Sequence, residues 1–95
     1  MKNEVKIMTQ HPQGKTGTNI DKAKYDVMKS AILDTLKSQG EMTFSELNDV
    51  IGQQLEGKFE GSIGWYYTTV KLDLEARGLI ERVGKTSPQR IRLNK

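Results

Sequence analysis

A chain of 95 residues with 35 % hydrophobic and 28 % charged side chains makes one small domain with a lean core, its stability expected near the low end of the roughly 5–15 kcal/mol usual for domains. With no cysteine and a single histidine, His11, it has no disulfide, no thiol nucleophile and no second imidazole for a metal or catalytic site. The net charge of +3 is uneven: Arg77, Arg82, Lys85, Arg90, Arg92 and Lys95 against Glu81 put +5 after Ala76 and leave −2 before it, which suits a polyanionic partner.

The first stretch, residues 1–20, has no sustained period and is rich in turn formers around His11-Pro12-Gln13-Gly14, so it is expected to be an irregular arm on a domain spanning 21–95. Val5, Ile7 and Met8 fit either a short edge strand or a segment lying across the body. Gly14-Lys15-Thr16 looks like the end of a phosphate-binding loop, but the required earlier glycine falls at Thr9 and Gly17 interrupts any following helix, so no nucleotide site is expected. No apolar run near the start is long enough for a signal peptide or a membrane span, and a cytoplasmic protein is expected.

Tyr25, Met28, Ile32 and Leu36, with Leu33 beside them, recur at helical spacing between Asp21, a good N-cap, and Gly40, so a first helix is expected over about 22–38. Its other face, Lys22, Lys29, Asp34 and Lys37, is expected to be solvated. Thr43 and Glu46 have the spacing of a reciprocal capping box and start a second helix, whose stripe of Phe44, Leu47, Val50, Ile51 and Leu55 ends near Leu55. Gly52 inside it is expected to cost about 1 kcal/mol and to allow a neighbouring helix close. In the turn that follows, Phe59 is expected to plug the core, and Glu56 and Glu60 are expected to be solvated charge rather than metal ligands.

Ile63, Tyr67, Val70 and Leu74 line one face of a third helix that should stop at Gly78 in a left-handed conformation. Two short apolar runs, 79–83 and 90–93, separated by Gly84 and Pro88, then predict a hairpin. The run Leu74-Glu75-Ala76-Arg77-Gly78-Leu79-Ile80-Glu81-Arg82-Val83 resembles the junction between recognition helix and wing in winged helix-turn-helix domains, and the resemblance covers about Asp21 to Leu93. Trp65-Tyr66-Tyr67 and Val70-Lys71-Leu72-Asp73-Leu74-Glu75 are similar to a group of short uncharacterised bacterial winged-helix proteins, a domain of unknown function with no activity to carry over. The resemblance implies an α+β winged helix-turn-helix: three helices, then a two-stranded β-hairpin wing with which a strand at Glu41-Met42 pairs, and an irregular N-terminal arm. The turn at 56–61 is longer than the three or four residues of the tightest helix-turn-helix units.

Trp65, Thr69, Leu72 and Ala76 point away from the core stripe of the third helix. Either the arm covers them through Ile7, Met8 or Ile20, or Trp65, Leu72 and Ala76 form a partner interface, and the exposure of Trp65 separates the two. Toward DNA the helix offers only Thr68, Thr69 and Lys71, and the wing offers Arg82, Lys85, Arg90 and Arg92; a solvated hairpin guarded by charge is the alternative. The expected function is a regulatory nucleic-acid-binding module that holds duplex DNA weakly through the wing. The competing expectation is a protein-interaction or homodimerisation module using the third helix. Neither needs a cofactor, a metal, catalysis or a membrane.

Overall fold

The computed structural model describes residues 5–14, 17–83 and 89–94. Its elements run β1 (Lys6–Met8), β2 (Asn19–Asp21), α1 (Lys22–Gln39), β3 (Met42–Thr43), α2 (Phe44–Leu55), α3 (Ile63–Ala76), β4 (Ile80–Arg82) and β5 (Arg90–Leu93). The result is an α+β arrangement of three helices with two small antiparallel sheets, one ordered β1-β2 and one ordered β3-β5-β4.

Each helix begins and ends where its sequence leaves backbone groups in need of partners. Asp21 caps α1 by accepting from the Ala23 amide at 3.1 Å, and at the other end the Gly40 amide donates to the Leu36 carbonyl at 2.8 Å. Thr43 and Glu46 form the full capping box of α2: the Glu46 amide donates to the Thr43 hydroxyl at 3.1 Å and the Thr43 amide to the Glu46 carboxylate at 2.9 Å. The Thr43 amide and hydroxyl together hold the Glu46 carboxyl below its ordinary pKa. Ser62 caps α3 through the Trp65 amide at 3.2 Å. At the far end of α3 the Leu79 amide bonds the Leu74 carbonyl at 2.9 Å and the Gly78 amide bonds that of Glu75 at 3.1 Å, a Schellman pattern that requires φ = +78° at Gly78.

The apolar stripes then meet in one core: Tyr25, Met28, Ile32 and Leu36 from α1, Leu47, Ile51 and Leu55 from α2, and Tyr67, Val70 and Leu74 from α3. Ile80 and Ile91 close it from the sheet. Tyr67 keeps its buried hydroxyl satisfied by donating to the Phe44 carbonyl at 2.8 Å. Phe59 packs on the core from the α2–α3 turn and lies edge-on to Tyr66, centroids 5.1 Å apart, which fixes where α3 starts. β3 joins the hairpin by pairing Met42 with Ile91 and Thr43 with Arg90, while β4 pairs Glu81 with Arg92 and Arg82 with Ile91.

Two expectations need correction. The stretch before α1 is not irregular: β1 and β2 pair with Ile7 opposite Ile20, and Thr9 and Thr18 close the ladder through a 2.9 Å amide-to-carbonyl bond. Gly17 makes that closure possible, because a Cβ there would stand 1.7 Å from the Thr9 carbonyl oxygen. Ile20 is buried in the core, so β2 belongs to the folded body rather than to an arm. Gly52, in turn, is no close-packing device, since nothing lies within 4 Å of where its Cβ would be.

The two glycines therefore respond oppositely to substitution. Gly78→Val is expected to lower stability by at least about 1 kcal/mol, because a β-branched residue is strained at positive φ. Gly52→Ala is expected to raise it by about 0.5–1 kcal/mol through helix propensity alone. Chemical denaturation checks both; a Gly78→Val protein as stable as the parent, or a destabilised Gly52→Ala protein, contradicts the helix-end and helix-interior assignments respectively.

Candidate nucleic-acid and partner interface

The flank of α3 that carries Lys71 and Glu75 faces the root of the hairpin. Lys71 is 2 % exposed; its ammonium pairs with Glu75, donates to the Gln89 side chain at 2.7 Å and lies 5.4 Å from the Phe44 ring centroid. Burial pushes the lysine's pKa down, with Glu75 acting in the opposite sense. Glu75 also accepts from Arg82 Nε at 2.8 Å, so one carboxylate of α3 gathers a cation from its own helix and one from β4. Lys71 was expected to reach toward DNA; the structure instead places it inside, where it fastens the hairpin to α3.

The opposite flank holds Asp73, which is 0 % exposed. It accepts from the Tyr25 hydroxyl, from the Gln10 amide at 2.7 Å and from Arg77 Nε at 2.8 Å. Burial, reinforced by the hydrogen bond to Asp73, raises the Tyr25 pKa, while the same carboxylate raises that of Arg77. Arg77 is thereby committed, and Arg77 Nη2 reaches the Met8 carbonyl at 3.5 Å. His11, next to Gln10, accepts from the Gln13 amide through Nδ1 at 3.1 Å and so closes its own turn.

Between these flanks lies the outward face. Trp65 is 45 % exposed and stacks edge-on against Tyr66 at 4.9 Å, with Lys24 Nζ 5.4 Å from the centre of the Tyr66 ring. Thr68 is exposed, and Thr69, Leu72 and Ala76 are half-buried. Trp65, Thr68, Thr69, Leu72 and Ala76 therefore share a face without formal charge. The N-terminal hairpin does not cover Trp65; Ile20 is spent on the core and Met8 is itself exposed.

On the hairpin, Arg82, Arg90 and Arg92 keep 44 %, 45 % and 55 % of their side chains exposed, yet each has a carboxylate opposite. Arg92 Nε meets Glu81 at 2.5 Å and Arg90 Nη1 meets Glu41 at 3.6 Å. Lys85 and the hairpin tip lie outside the described residues, as do Lys15 and Thr16. Sequence reasoning found the arginines but missed Asp73 and Glu75. The i,i+4 spacings Asp73–Arg77 and Lys71–Glu75 were visible signals for both.

Among the described residues no helix is long and apolar enough to cross a membrane, and no cluster of three or more potential metal-ligating side chains occurs. Neither a curated protein nor a solved structure matches the chain. A family model does match, over residues 6–91, which is most of the length and every element from β1 to the first half of β5. The chain thus belongs to a family of unknown function, DUF6958.

Proposed function

We propose that the protein is a winged-helix module that binds duplex DNA weakly and with little sequence preference through the β4–β5 hairpin. The order of elements supports the fold reading: three helices, a short strand before α2, and a hairpin whose second strand pairs with it. The observation that carries the functional reading is the exposure of Arg82, Arg90 and Arg92 on that hairpin. Two of their partners, Glu41 and Glu81, are themselves more than a third exposed, and exposed ion pairs contribute only about 0–1 kcal/mol, so phosphates displace them at small cost. Arg82 is different, because Glu75 is nearly buried and holds it. The outward face of α3 has no arginine, lysine, asparagine or glutamine to read a base edge, which leaves backbone contact as the main source of affinity.

About three phosphate contacts, from Lys85, Arg90 and Arg92, give a log-affinity against log-salt slope near −2.7. Unrelated duplexes are expected to bind alike, and Arg90→Ala with Arg92→Ala to weaken all of them. Glu81→Gln is expected to strengthen binding at low salt, because it frees Arg92. Fluorescence anisotropy with short duplexes at several salt concentrations tests this; absence of binding by the parent at low salt, or weaker binding by Glu81→Gln, contradicts it.

A second reading, protein docking on α3, is favoured by the 45 % exposure of Trp65 on an uncharged helical face. It expects Leu72→Glu to abolish partner capture while leaving DNA affinity unchanged.

A further inference from the structure

The two-stranded N-terminal sheet has two outer edges, and that of β1 is the one flanked by exposed apolar side chains. The Lys22 amide donates to the Val5 carbonyl at 2.8 Å and the Thr9 amide to the Thr18 carbonyl at 2.9 Å. In an antiparallel ladder hydrogen-bonded positions alternate, so residues 5, 7 and 9 bond toward β2 while the amides and carbonyls of Lys6 and Met8 point away from it. On this outer edge Arg77 contacts the Met8 carbonyl at 3.5 Å, which retains a second lone pair, and beyond the strand the Gln10 amide donates to Asp73 at 2.7 Å; the outward backbone groups of Lys6 and the Met8 amide have no partner among the described residues. The two most exposed large hydrophobic residues flank this edge, Met8 in β1 at 56 % and Val5 just before it at 57 %. An open edge with exposed apolar side chains is a template for another strand.

We infer that β1 pairs antiparallel with β1 of a second copy, joining the two N-terminal hairpins into one four-stranded sheet across a two-fold axis. Of the two-fold registers, the one centred on Ile7 uses every outward group of Lys6 and Met8 and keeps Lys6 away from its own copy. With the axis through Ile7, Lys6 lies opposite Met8 of the second copy and Met8 opposite its Lys6, and these two pairs exchange four backbone hydrogen bonds with every donor matched to an acceptor. Ile7 meets Ile7 in the close, non-hydrogen-bonded position, and no two like charges face each other. The outer edge of β4 fails this requirement. On β4 the amide of Val83 bonds the Arg90 carbonyl and that of Asn94 the Leu79 carbonyl, so Ile80 and Arg82 point outward; the equivalent two-fold pairing, centred between them, sets Glu81 against Glu81. Of these two edges β1 is the self-complementary one. The inference does not rest on DNA binding, although a two-fold dimer carries two basic hairpins.

Charge at position 8 tests the register. Met8 is exposed, so Met8→Glu and Met8→Lys both leave the fold intact, which circular dichroism verifies. Met8→Glu sets a carboxylate opposite Lys6 of the second copy twice per dimer and is expected to tighten the dimer about fivefold; Met8→Lys sets lysine against lysine and is expected to weaken it by about as much. Sedimentation velocity over a concentration series up to millimolar reads the change, and Leu72→Glu is expected to have no effect on it. A parent protein that stays monomeric throughout overturns the proposal. So do two Met8 variants that associate equally, or association that is lost in Leu72→Glu and untouched at Met8.

Discussion

A carboxylate with no access to water has to find its donors within the protein, and Asp73 finds them on three separate elements. Tyr25 comes from α1, the Gln10 amide from the loop after β1, and Arg77 from the last turn of α3. Removing one partner of a buried charge leaves the desolvation cost uncompensated, typically several kcal/mol, so the three elements are held in one relative position. The N-terminal hairpin is thereby part of the domain: Asp73 grips its loop while Ile20 enters the core behind it. Glu75 repeats the device one helical flank away, where Lys71 and Arg82 bind the hairpin to α3.

These two anchors decide what α3 has left to offer a partner. One flank is consumed by the hairpin and the other by the N-terminal strands, and the stripe of Tyr67, Val70 and Leu74 is consumed by the core. What remains is the narrow uncharged strip around Trp65 and Leu72. The hairpin, fixed at its root by Glu75, keeps Arg90 and Arg92 on looser, exposed pairs. Structure thus divides the cations into those that hold the fold, Lys71 and Arg77 with Arg82 close to them, and those free to exchange partners.

The helices were legible because each of their signals is local. Asp21 and Gly40 bound α1, Thr43 and Glu46 start α2, Gly78 ends α3, and the apolar spacing within each helix points to the face that is buried. A short strand around Met42 that pairs with the hairpin was expected from the resemblance to winged helices, but its register, Met42 opposite Ile91, was not. At the N-terminus a short strand around Ile7 was one of two open alternatives, and its partner Asn19–Asp21 was not legible, since the pairing depends on the Gly17 approach to Thr9, a contact no local pattern encodes. Lys71 misled for a related reason: a lysine between two apolar residues is expected to be solvated unless its acid partner is also buried, and the burial of Glu75 is a property of the packed hairpin. Gly52 looked like a packing residue because helix-interior glycines often are, whereas here the site faces open space.

The central functional claim is that exposed hairpin cations, not α3, meet a polyanion. Two-dimensional NMR of the labelled protein during addition of a short duplex at low salt tests it most directly, following the Arg Nε signals together with the Trp65 indole. The account predicts that Arg90 and Arg92 shift first, that Arg77 stays with Asp73, and that the Trp65 indole does not move. Shifts concentrated at Trp65 and Thr68 with the hairpin silent, or no shifts at all, contradict it.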